Sequence, residues 1–143
     1  MGYKFAMEKV LEWRGDLEKT SMEKFAHTQN ELNQERLTLS NLYREYEILK
    51  ERSVKYSKPN EVRYYQLYKS DLEENIKLQR QVVEEKTMEL EEKRLDLVDA
   101  QRDRRIMEKL KEKDYESYQE KVNLEEQKFL DEISVLKYKK VVN

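Results

Sequence analysis

Residue types that do acid–base, nucleophilic or metal chemistry are sparse in this chain, or scattered along it. The one histidine is His27. Cysteine is absent, which excludes thiol chemistry, a disulfide framework and Cys-based metal sites. Carboxylates are plentiful and often adjacent, as in Glu84-Glu85, Glu91-Glu92 and Glu125-Glu126. Such groups do chemistry only when they converge in a sheltered pocket. On an exposed helix they are solvated, and nothing holds two of them across a substrate. There is no Gly-rich phosphate loop and no HExxH zinc motif. His27 sits beside Thr28 in a helical pattern and reads as a surface residue. The expectation is therefore no catalytic, cofactor-binding or metal-ligating residue, and a protein that works by binding.

The elements behind this pattern are few. Charged residues make up 42% of the 143-residue chain, against roughly 25% in an average soluble domain. Only two Gly and one Pro are present, so the chain lacks the punctuation that several loops need. Glu, Lys, Leu, Arg and Gln favour helix at nearly every position. Apolar residues, at 37%, are too few for a thick core but enough for a seam between helices. Ten Tyr, three Phe and one Trp argue against wholesale disorder. The 29 basic and 31 acidic residues are interspersed, so no concentrated basic face points to nucleic acid. No apolar run approaches the ~20 residues of a membrane span, and no signal-peptide h-region stands at the N-terminus. Met1-Gly2 does not open a myristoylation motif, because Ala6 stands where Ser or Thr is needed.

Stepping by threes and fours from Phe25 gives Thr28, Leu32, Glu35, Leu39, Leu42, Tyr46 and Leu49, the spacing of coiled-coil a and d positions. Upstream, Tyr3, Met7, Val10 and Leu17 suggest a similar stripe, which reaches Phe25 through Ser21 by a phase shift. The pattern breaks at Tyr56-Ser57-Lys58-Pro59-Asn60-Glu61. Proline ends one helix and suits the first turn of the next, and Ser57 and Asn60 are both candidate caps. A second stripe runs through Tyr65, Tyr68, Leu72, Ile76, Gln79, Val83, Lys86 and Leu90. Beyond it come Leu97, Ala100 and Met107, with Leu95, Val98, Ile106 and Leu110 alongside. Gln79, Lys86 and Arg104 interrupt this seam; polar seam residues weaken a coiled coil but help set its register.

The expected fold is all-α: one antiparallel two-helix coiled coil, a helical hairpin. Its helices fall at about 3–56 and 61–140, with a turn at about 57–60 and the second helix the longer. With the turn near residue 58, facing residues have numbers that add to about 116. Leu42 then faces the region of residue 74, and Met7 that of residue 109. Everything past about residue 114 overhangs, and Tyr118, Val122, Phe129, Leu130, Ile133 and Leu136 form an apolar stripe there. An exposed apolar stripe marks a partner-binding site, a self-pairing surface or a fraying end. Tyr43, Tyr46, Tyr56, Tyr64, Tyr65 and Tyr68 crowd the turn, where tyrosine serves either seam packing or an interface.

Tyr3-Lys4-Phe5, Val10-Leu11-Glu12-Trp13-Arg14 and Glu18, then Ala100-Gln101-Arg102-Asp103-Arg104-Arg105-Ile106-Met107-Glu108-Lys109-Leu110-Lys111-Glu112-Lys113, and finally Tyr118, Glu126-Gln127 and Leu130-Asp131-Glu132, resemble in order and spacing the flagellar export family FliJ. The resemblance spans nearly the whole chain. It implies a non-enzymatic stalk of the flagellar type III export apparatus, cytoplasmic and peripheral at the inner face of the cell membrane. It also implies that the paired termini enter the ring of the export ATPase FliI, and that other surfaces meet the export gate FlhA and export chaperones. On that basis ATPase contacts are expected at Arg14, Glu18, Arg102, Arg104, Arg105, Lys109, Leu110 and Lys113. Gate contacts are expected at Leu39, Leu42, Tyr43, Tyr46, Tyr68 and Leu72. A related injectisome stalk, a coiled-coil chaperone or adaptor of the prefoldin type, and a structural homodimer are the alternatives.

Overall fold

The computed structural model describes residues 2–142, and the side chains of all of them except Val54 and Val142. Two helices pack against each other: α1 (Glu8–Arg52) and the longer α2 (Pro59–Val142), joined through one 3-10 turn at Ser53–Lys55. No strand occurs among the described residues. The chain divides into two compact units. A hairpin unit holds Lys19–Asp99, and a termini unit holds Met1–Glu18 with Ala100–Asn143.

In the hairpin unit every residue of the stripe from Phe25 to Leu49 is buried or half-buried. Thr28, Leu32 and Leu49 are the buried members on α1, and Leu72 and Ile76 on α2. The polar seam residues face one another. The Gln79 amide donates to the Glu35 carbonyl at 2.9 Å and to its carboxylate at 2.6 Å. The Lys86 ammonium pairs with Glu31 and lies 3.1 Å from Glu89. The numbers of these cross-helix partners add to 114 and 117, close to the expected register. Tyr68 does not hold a seam position. Lys69 is half-buried in its place while the Tyr68 ring is largely exposed, because the three-four spacing traced back from Leu72 lands on residue 69.

Several devices end α1. Lys50 and Arg52 occupy its last turn, where cations complement the helix dipole. The Ser53 hydroxyl then donates to the Lys50 carbonyl at 2.6 Å, and Tyr56 is extended. Pro59 opens α2 at the first helical position, and the Lys58 carbonyl accepts from the Val62 N–H at 3.0 Å. Lys58 therefore holds the cap position that Ser57 or Asn60 was expected to fill.

In the termini unit α1 begins at Glu8, later than expected. The first N–H groups of a helix have no partner within it, and the preceding segment gains more by docking. Residues 2–5 form an irregular strap, with a turn at residues 6 and 7. Tyr3 packs its ring on Tyr115 and Tyr118, with centroids 5.1 and 5.3 Å away. Its hydroxyl donates to Asp114 at 2.7 Å, with the Lys111 carbonyl at 3.4 Å. Residues Leu11, Arg14 and Glu18 are half-buried, so the three-four spacing of the seam runs on upstream of Ser21 with no phase shift. Met7 and Leu17, expected inside, are exposed.

Candidate functional site

Charge pairing defines the inner face of the termini unit. Arg14 reaches Asp103 at 3.3 Å, and its guanidinium lies 4.7 Å from the Trp13 ring centre. Arg104 pairs with Glu18 across the helices and with Glu108 along α2. Lys111 binds Glu8 at 2.9 Å. Of the residues expected to meet an ATPase, Arg14, Glu18 and Arg104 are thus engaged within the chain. Their carboxylate partners hold the Arg104 guanidinium above its usual range, chiefly through the Glu18 hydrogen bond.

The remaining members are exposed. Arg102, Arg105, Lys109 and Lys113 follow one another at spacings of three, four and four, which places them along one outward face of α2. Leu110 is exposed as well, but it lies on another side. There the heptad spacing groups it with Ile106 on α2 and with Val10, Trp13 and Leu17 on α1. Trp13, Leu17, Ile106 and Leu110 are all exposed. Sequence reading did not single out Trp13 or Ile106 as surface residues. The signal was available, since both fall off the seam once Arg14 and Arg104 are accepted as seam residues. Exposed Trp is a frequent anchor of protein interfaces.

The expected gate residues are brought together only in part. Leu72 is buried, and Leu39 and Leu42 are half-buried in the seam. Tyr46 is also half-buried; its hydroxyl donates to Glu73 at 3.0 Å, and Lys50 lies 4.6 Å over its ring. Tyr43 and Tyr68 are exposed but on opposite flanks of the pair. Next to Tyr68 the structure instead assembles an aromatic surface. Two shallow adjoining grooves are lined by Ile48, Leu49, Tyr56, Tyr64, Tyr65 and Tyr68, with Glu45, Glu61 and Arg52 at their edges. Tyr56 and Tyr65 rings meet at 5.8 Å.

On the expected C-terminal stripe, Tyr118 is half-buried against Tyr3. The uncovered part therefore begins after it. Val122 and Ile133 are half-buried, while Phe129 and Leu136 are 62% and 65% exposed. Among the described residues, no group of acidic, His or Cys side chains is suited to a metal ion and no helix is long and apolar enough to cross a membrane.

The family model described as Flagellar FliJ protein matches residues 3–142. The chain belongs to the FliJ family. The match begins at Tyr3 and ends on the last turn of α2, so it covers both helices and the C-terminal arm. Searches of curated proteins and of solved structures found no match. As a FliJ-family chain it is a component of the flagellar export system.

Proposed function

We propose that this FliJ-family chain is a non-enzymatic stalk on the cytoplasmic side of the flagellar type III export apparatus, binding the hexameric export ATPase FliI through its termini unit. The observation that carries this reading is the sorting of charge in that unit. Arg14, Glu18, Arg104 and Lys111 are engaged inside, while Arg105, Lys109 and Lys113 form an exposed basic line on one outward face. Such a line suits acidic loops of a ring, and exposed charges of this kind set orientation and association rate. The aromatic grooves of the hairpin unit are the surface for the export gate FlhA or for export chaperones, with Tyr64 and Tyr68 as anchors.

The test uses purified chain and FliI. Adding the chain is expected to promote ATPase hexamerisation and turnover. The double variant Arg105→Glu/Lys109→Glu should lose most of that stimulation while keeping its helical circular dichroism. Absence of any effect of the unmodified chain on hexamerisation or turnover rejects the reading.

A further inference from the structure

Beyond Tyr118 the helix α2 runs on to Val142 as a bare arm of about 36 Å, at 1.5 Å per residue. Its apolar residues keep a seam spacing. From Tyr118 the stripe passes through Val122 and Glu126 to Phe129, Ile133 and Leu136. With the step from Asp114 to Tyr118 this makes three four-residue steps in a row, two successive stutters, which locally unwind a supercoil. The positions that would prolong the strict heptad are Lys121, Glu125, Lys128 and Glu132, unsuited to a seam. The arm thus carries a coiled-coil face with no helix laid on it, on the side of α2 that α1 and the strap cover up to Tyr118.

Charge along the arm is segregated. Residues 119–132 hold five acids (Glu120, Glu125, Glu126, Asp131, Glu132) and two lysines, a net charge of −3. Residues 133–142 hold three lysines (Lys137, Lys139, Lys140) and no acid, a net charge of +3. A parallel, in-register pair of arms sets like charge beside like. An antiparallel pair sets each acidic half against a basic half. Opposed layers in that arrangement place Phe129 of one copy against Ile133 of the other. They bring Val122 level with Lys140, and Glu125 beside Lys137 and Lys139.

We propose that the arm is a self-association surface, on which a second copy of this chain lays its own arm antiparallel, taking up the line that α1 leaves. The dimer buries the Val122–Leu136 stripe of both copies. The arm belongs to the same termini unit, but the dimer does not use the outward basic line on which the ATPase reading rests, so separate variants test the two.

Light scattering on the full chain at low ionic strength should give twice the 17.6 kDa of one chain. Added salt should weaken the dimer by screening the end charges. Reversing the basic half (Lys137→Glu/Lys139→Glu/Lys140→Glu) should weaken association by roughly tenfold or more, since each change turns an attraction into a repulsion at both ends of the pair. Mixing that variant with Glu125→Lys/Glu126→Lys/Glu132→Lys should restore a mixed dimer, which excludes misfolding as the cause. Orientation is read by cross-linking, since the chain has no native cysteine. Val122→Cys mixed with Lys140→Cys should form a mixed disulfide dimer, and neither variant alone should cross-link. A monomer at all concentrations overturns the proposal. Cross-links formed by each variant with itself, but not in the mixture, show a parallel pair and overturn it equally.

Discussion

At the scale of single residues, the polar members of the seam carry the specificity. Glu35 and Gln79 each interrupt an apolar stripe, and each is the other's partner. Gln79→Leu leaves the Glu35 carboxylate in a half-buried site without its donor, and should cost about 1–2 kcal/mol in thermal or urea unfolding. Removing both, as Glu35→Leu/Gln79→Leu, should recover that loss, and spin-label distances across the hairpin should then broaden as alternative registers open. Glu31 and Lys86 add a pH dependence. The Lys86 hydrogen bond holds the Glu31 carboxyl below the usual carboxylate range, and the same bond raises the Lys86 ammonium. A depressed carboxyl contributes stability that is present above its unfolded pKa and is lost as pH falls through its folded one. The midpoint of unfolding should therefore drop as pH goes below about 4.5, and that drop should be smaller in Glu31→Gln. On the alkaline side the Lys86 contribution is complete below the ordinary lysine value and is lost as pH rises above it through the raised folded one. These pairs also show what the sequence made legible. Gln79 and Lys86 were recognisable as seam residues by spacing alone. Glu31 was not recognisable as a partner, since it flanks the seam and only three-dimensional register brings it to Lys86.

At the scale of elements, the hairpin seam was readable because its apolar residues mark nearly every third and fourth position. Upstream the signal changed currency. Arg14 and Glu18 hold seam positions by ion pairing, so a search for apolar residues followed Val10 and Leu17 off to the flank. The two phases predict opposite mutational outcomes. Leu32, 1% exposed, should lose about 2–4 kcal/mol on replacement by Ala, the usual range for a buried leucine. Leu17→Ala should cost well under ~1 kcal/mol, as surface changes do. Thermal melts of the two variants decide between the continuous heptad and the phase shift. The strap was invisible for a different reason: no helix propensity or period marks Tyr3 as a residue that leaves the helix to dock on α2. Burial against Tyr115 and Tyr118, and the bond to Asp114, push its phenol up to about 12. A raised tyrosine favours its neutral form in the folded chain. Docking should be complete below the ordinary phenol value near 10 and should fail as pH climbs towards 12. Protease cleavage within residues 2–7 should rise over that window, and Tyr3→Ala should show the high-pH cleavage pattern already at neutral pH.

At the scale of the whole molecule, the two units differ in what holds them together. Among the described residues, Thr28, Leu32, Leu49, Leu72 and Ile76 are buried in the hairpin unit, whereas Met107 is the buried residue of the termini unit. The termini unit relies instead on ion pairs that are part-exposed, such as Arg14–Asp103 and Lys111–Glu8, and pairs of that kind add little net stability in water. Local opening follows buried apolar contact, so amide hydrogen exchange should be slowest around Leu32 and Leu72. It should be intermediate around Met107 and fastest along residues 120–142. Salt should accelerate exchange in the termini unit more than in the hairpin unit, because screening acts on its exposed pairs. Uniform protection along α2 would show that the helix opens as a single element and would sink this ordering. Loose packing in the termini unit has a functional consequence. A unit whose inner face is ionic, with Trp13 and Ile106 exposed on one flank and a basic line on its outward face, has order left to gain on binding. Binding of a partner there should then slow exchange around Met107 by more than it slows exchange around Leu32.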